Sequence, residues 1–299
     1  MSRRALGLFL LVGVVWGIPY LLIAIAVRQV TPEVLVFCRT AIGGLLLLPV
    51  AAVRRELAPL RSHWRALLAY TVVELAIPWV LLSTAEERLP SSLTGLLVAA
   101  VPVAGAVLAA ATGAGIPLGR RGMAGLGVGL AGVAVLVGLD VHGAQVGSTA
   151  LLLVVVVGYA AGPALVARRL SGVPPVGLAA SSLLLCAAGY APFALTELPR
   201  RVSPGAVWSL VVLGVVCTAV AFVAFFGLIA EVGPVRATVV TYLNPAVAVV
   251  LGAAANGEHV GWSTAAGFAL ILAGSWLATH RGSPAPGGGL AERAAARPA

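Results

Sequence analysis

Two charged side chains stand alone in long apolar surroundings: Arg39, within TPEVLVFCRTAIGGLLLLP, and Glu74, within AYTVVELAIPWVLL. A carboxyl group so placed can take up and release a proton or meet a cationic group, and a guanidinium can hold its charge or bind a carboxylate. The bland alternative is a static ion pair that orders two helices. Trp16, Tyr20, Tyr159, Tyr242 and Asn244, with Tyr70, Trp79 and Tyr190, offer apolar bodies with polar tips that can line a pathway for an amphipathic molecule or simply fill gaps between helices. Pro19, Pro102, Pro163 and Pro245 lie inside apolar runs. Each removes a helix donor, so each predicts a kink that either exposes polar backbone to a cavity or serves packing alone.

The elements that carry these residues are written in the composition. The chain of 299 residues is 60% hydrophobic and only 10% charged, with mean hydropathy +1.05. A soluble fold has no surface to make from such a sequence, and apolar runs of about 18–22 residues match the length that crosses about 30 Å of hydrocarbon. Ten spans fit, near 6–27, 32–53, 65–85, 91–112, 122–139, 148–167, 176–196, 206–229, 235–255 and 261–280. The expected fold is all-α, a polytopic integral membrane protein. A cleaved leader is the rival for the first run; Trp16-Gly17-Ile18-Pro19 inside it, its continuation to Val27 and the lack of an A-x-A site favour a retained helix.

The net charge of +9 is a matter of topology. With both termini cytoplasmic, the inner segments collect fourteen arginines and the outer ones only Arg28, Arg88, Arg200 and Arg201. That is the positive-inside bias, and it leaves nothing that calls for nucleic acid. Cys38, Cys186 and Cys217 fall within spans and have no metal-like spacing, so they read as small buried hydrophobes. No cofactor or metal is implied. The tail from Gly282 to Ala299, rich in Gly, Pro and Ala, reads as disordered cytoplasmic chain.

Shifted by 143 residues, Pro32 meets Pro175, Pro49 meets Pro192 and Pro102 meets Pro245; Pro19 meets Pro163 at 144, and Gly125 and Gly132 meet Gly267 and Gly274 at 142. The expectation is two halves of five spans, residues 1–143 and 144–281, the second inverted because five is odd. The run GMAGLGVGLAGVAVLVG carries small residues four apart, a face for close helix contact within the chain or, less readily, in a dimer.

VVWGIPYLLIAIAV followed by TPEVLVFCRTAIGGLLLLP, and VGPVRATVVTYLNPAVAVVLGAAANGEHVGWSTAAGFALILAGSWLA, resemble the opening and closing signatures of the EamA-like family of the drug/metabolite transporter superfamily. In that resemblance Pro245 is the mid-span kink proline, Gly257-Glu258 the short turn, and Gly267 and Gly274 the glycines of the last helix. It implies two five-helix repeats in the plasma membrane and a secondary transporter, here expected to export small metabolites such as amino acids or amphipathic compounds by alternating access. Uptake or exchange on the same fold is the alternative. The first half departs from the pattern, with GAGIPLGRR in place of the Gly-Glu turn and Gly158-Tyr159 where many relatives carry tryptophan.

An intramembrane enzyme is the remaining class. His-Glu-x-x-His and Gly-x-Ser-x-Gly are absent, the histidines are scattered, and no phosphate-binding loop supports ATP hydrolysis. The expected partners are therefore a small-molecule substrate and the lipid bilayer, with proton coupling at Glu74 as an option and a monomer or a homodimer both compatible.

Overall fold

The computed structural model describes residues 2–112, 120–140, 145–233, 237–257 and 261–279. Glu258, residues 113–119 of the divergent first-half turn, and the tail from Gly282 lie outside them.

Helix follows helix along the whole described chain: α1 (Arg3–Gly17), α2 (Pro19–Ala26), α3 (Pro32–Val53), α4 (Trp64–Tyr70), α5 (Ile77–Glu86), α6 (Ser91–Val98), α7 (Val101–Ala111), α8 (Arg120–Asp140), α9 (Gln145–Arg169), α10 (Pro175–Glu197), α11 (Pro204–Gly214), α12 (Ala221–Val232), α13 (Leu243–Asn256) and α14 (Trp262–Thr279). Two, α3 and α11, are entered by a hydroxyl cap followed by proline: Thr31 before Pro32, and Ser203 before Pro204, each accepting from a backbone N–H of the first turn. Gly257 ends α13 in the left-handed conformation (φ 64°), which glycine adopts without a Cβ penalty.

Among the described residues seven helical runs are long and apolar enough to cross a membrane: Arg3–Ala26, Pro32–Val53, Trp64–Glu86, Ser91–Ala109, Gln145–Arg169, Pro175–Glu197 and Pro204–Val232. Val240–Ala255 and Thr264–Leu277 are shorter apolar helices. The fold is thus all-α and polytopic, and the runs expected from the sequence are largely helical in their described parts, with breaks at Ile18 and at Ala99–Ala100 and a 3-10 turn at Thr238–Tyr242.

Helices meet in a regular set of pairs: α8 with α14, α3 with α10, α5 with α9, α6 with α13, α1 with α12, and α2 with α11. The glycine face of α8 is used inside the chain. A Cβ on Gly132 would lie 2.7 Å from the backbone nitrogen of Ile271, and one on Gly274 would run into the backbone of Gly129, so these two helices approach backbone to backbone. Loops at one end are tied by Gln29 Nε2 donating to Ser203 Oγ (2.7 Å) and Thr31 Oγ1 to Glu197 Oε2 (2.8 Å). At the other end the Gly177 N–H donates to Glu56 Oε2 (2.8 Å), and Arg4 pairs with Glu231 at 3.4 Å. The segments joined at each end are those that successive crossings bring to the same side.

Two stretches depart from α geometry within membrane-length helices. Thr71–Ala76 links α4 to α5 and Val215–Val220 links α11 to α12, and both are π-helical. In the first, the Ile77 N–H bonds Val72 five residues back, and Pro78 has no N–H to offer the carbonyl of Glu74. In the second, the Ala221 N–H reaches Val216, and the Thr218 hydroxyl donates to the Leu213 carbonyl, also five back, at 2.8 Å. The two stretches are 144 residues apart.

Candidate functional site

Arg39, Glu74 and Tyr159 all lie in or beside the region bounded by these π turns. Arg39 projects from the middle of α3, is only 8% exposed, and donates through Nε to Thr218 Oγ1 at 3.0 Å. Its guanidinium carbon sits 3.8 Å from the centre of the Trp79 ring, a cation–π contact. One side chain of the first half is therefore held by a hydroxyl on the π turn of α11–α12 and by an indole one turn beyond the other π turn. In the reverse direction Tyr190 of α10 donates its phenol to the Ala76 carbonyl at 2.9 Å. Each π turn is thus bonded by a polar side chain from the distant half of the sequence.

Glu74 sits within the π turn. Its Oε2 is buried and has no hydrogen-bond partner among the described residues. It packs on α9 where Gly162 stands, since a Cβ at 162 would overlap the carboxylate. Among the described residues Arg39 and Glu74 form no ion pair; Thr218 and Trp79 hold Arg39 instead. Tyr159, one helical turn from Gly162 on α9, packs against both main apolar clusters of the protein and joins the Arg39 and Glu74 surroundings.

The other expected residues distribute differently. Trp16 is half-buried and packs its ring edge-on to Phe222 (6.2 Å) and tilted to Phe225 (4.7 Å) of α12. Tyr20 is buried in the larger cluster, with its ring near Gly95 of α6. Asn244, with its amide turned to satisfy its neighbours, donates from Nδ2 to the carbonyls of Gly13 (3.1 Å) and Val240 (3.2 Å). It therefore clamps α1 to α13. Tyr242 is half-buried at the end of the 3-10 turn Thr238–Tyr242 that precedes α13.

The prolines divide in the same way. Pro19 opens α2 directly after the bend at Ile18, Pro102 begins α7 just past the break at Ala99–Ala100, and Pro245 lies in the first turn of α13. Pro163 is embedded in the unbroken α9 and its side chain is exposed.

Sequence reasoning missed three participants. Thr218 is an uncharged residue in an apolar run, and only the fold brings it to Arg39. Gly162 looks like any other membrane glycine. Glu86, at the end of α5 and followed by Glu87-Arg88, is only 5% exposed. Proximity to Arg39 adds it to the charged surroundings. A groove of about 350 Å³ lined by Leu57, Leu60, Arg61, Trp64 and Leu68 opens on the surface of the protein; its lining is leucine-rich and includes neither Arg39 nor Glu74.

Among the described residues no cluster of His, Cys, Asp or Glu is arranged to hold a metal. The three cysteines are free, Cys186 and Cys217 buried.

The sequence model of the EamA-like transporter family matches residues 3–138 and again 148–279. A protein of Escherichia coli strain K12 described as an uncharacterized inner membrane transporter, YedA, is 31% identical over 258 residues, covering 82% of this chain and 80% of the relative. Its counterpart in Escherichia coli O157:H7 matches equally. A crystal structure at 22% identity superimposes with a TM-score of 0.65 over 93% of this chain and 98% of its own, which speaks to the fold alone. The two family matches, which together span nearly the whole chain, and the relative at 31% identity identify it as a member of the EamA-like transporter family of the drug/metabolite transporter superfamily, a multi-pass membrane protein whose general function is secondary transport.

Proposed function

We propose that the protein exports small metabolites, amino acids or amphipathic compounds among them, by alternating access through ten transmembrane helices. These form two inverted repeats, residues 1–143 and 144–281, with both termini in the cytoplasm. The observation that carries the reading is the helix pairing. Under a shift of about 143 residues, α1–α2 corresponds to α9 and α4–α5 to α11–α12, so the contact of α1 with α12 and that of α5 with α9 are one contact made twice. The two family matches and the two π turns 144 residues apart support the same relation. Two related halves that each grip the other's π turn can rock about the region between them.

In this reading Trp16, Tyr20, Arg39, Glu74, Tyr159, Tyr242 and Asn244 border the substrate pathway. Pro19, Pro102, Pro163 and Pro245 are its kink positions, and Glu74 exchanges the coupling proton. The test is transport by the purified protein in reconstituted vesicles against a mixed amino-acid and metabolite panel, with and without an imposed pH gradient. Gradient-stimulated movement of at least one member is expected. Movement of none under any gradient removes the proposal.

A further inference from the structure

The guanidinium of Arg39 is fixed on one edge and one face, and its other edge is uncommitted among the described residues. Nε–H is committed to Thr218 Oγ1 at 3.0 Å, and the flat face lies on Trp79. Thr218 has a single hydroxyl proton, which goes to the Leu213 carbonyl at 2.8 Å, so its oxygen can only accept from Arg39. That carbonyl lies five residues back, and the π turn puts it in line with the hydroxyl.

Nη1 and Nη2 remain. They make no hydrogen bond or ion pair among the described residues, although Tyr20, Tyr159, Cys217 and Glu86 surround the group. A cation left in this state in an apolar setting is costly unless a ligand meets it. The two parallel N–H bonds of the Nη edge match the two oxygens of a carboxylate. Arg39 lies eight residues past the Thr31 cap of α3, about 12 Å along a helix at 1.5 Å per residue, which puts the site beyond the level of lipid phosphates.

We propose that Arg39 is the receptor for a carboxylate of the cargo, and that Thr218, held by the π turn of α11–α12, is the positioning residue that keeps the Nη edge facing it. This deepens the reading of Arg39 as a pathway residue and rests on it. A lysine at position 39 would supply charge but no fork, and a purely cationic cargo would find no partner here.

The experiment uses the full chain in lipid nanodiscs and two probes of equal size that differ in charge, benzoate and benzamide, with binding followed by thermal shift and calorimetry. Benzoate is expected to bind and stabilise and benzamide not to. Thr218→Val, which keeps the branched shape and loses the acceptor, weakens benzoate at least about tenfold. Thr218→Ser restores it, which a merely structural role would not require. Thr218→Cys, a poor acceptor of similar size, repeats the positioning test if the valine variant fails to fold.

Equal binding of benzoate and benzamide by the wild type overturns the receptor, and wild-type benzoate affinity in Thr218→Val or Thr218→Cys overturns the positioning role. Vesicle transport that persists with no preference for the anion sinks this inference alone. Selective benzoate binding with no transport of any panel member leaves it standing and removes the transport pathway.

Discussion

Glu74 and Gly162 are packed so that a single methyl group on residue 162 would occupy the space of the Glu74 carboxylate. The acid comes from a π turn and the glycine from the middle of α9, so the contact joins two helices that are distant in sequence. The buried Oε2 of Glu74, without a hydrogen-bond partner among the described residues, lies at this junction.

Gly162→Ala is expected to push the π turn away from α9. Overpacking of this kind costs about 1–3 kcal/mol, and transport in vesicles should fall while the chain still inserts. Thermal unfolding in detergent beside a transport rate checks both; wild-type rates in the alanine variant would show that the close approach is incidental.

Glu74→Gln keeps the shape of the side chain and removes its titration. The expected result is transport that continues down a cargo gradient and no longer responds to an imposed pH gradient. Unchanged stimulation by the pH gradient would place the coupling group elsewhere, with Glu86 the next acid to replace.

Asn244→Ala removes two hydrogen bonds that tie α13 to the Gly13 carbonyl of α1 and to Val240. Buried carbonyls left without donors cost about 1–3 kcal/mol. The variant should melt at lower temperature, which a calorimetric scan checks; an unchanged transition would show that the clamp does not stabilise the fold.

Gly274→Leu should be far more damaging than a leucine at Gly7, where nothing lies within 4 Å of an added Cβ. At Gly274 the Gly129 backbone blocks it, so α8 and α14 must part. Yield of monodisperse protein after extraction is the readout, and equal yields would contradict the packing.

The proposed orientation is checked with single cysteines in a cysteine-free background. Arg200→Cys is expected to react with a membrane-impermeant maleimide in intact cells, and Arg61→Cys only after permeabilisation. Both parent residues are exposed, so the reverse pattern would invert the topology.

Helix content, the membrane class and the family follow from local information. Twenty apolar residues without a charge have one low-energy solution in hydrocarbon, because backbone N–H and C=O groups must be satisfied within the segment. Arg39 and Glu74 were legible for the same reason: a charge in an apolar run stands out wherever the chain folds. Their partners were not, because partnership depends on contacts across more than a hundred residues. The sequence allowed an Arg39–Glu74 pair, whereas the packing of α3 against α11–α12 gave Arg39 to Thr218 and Trp79 and left Glu74 facing Gly162. Asn244 likewise stood out as a polar residue in an apolar run, while its bond to the Gly13 carbonyl of a helix more than two hundred residues away depends on the packing. The π turns were not read from the sequence although local features accompany them, a missing N–H at Pro78 beside one and the Thr218 hydroxyl bonded to Leu213 in the other. Composition and spacing therefore determined what each helix is; which polar groups meet between helices was decided only when those helices were packed, because a hydrogen bond needs its donor and acceptor placed about 3 Å apart to within a few tenths of an ångström, which no single segment fixes.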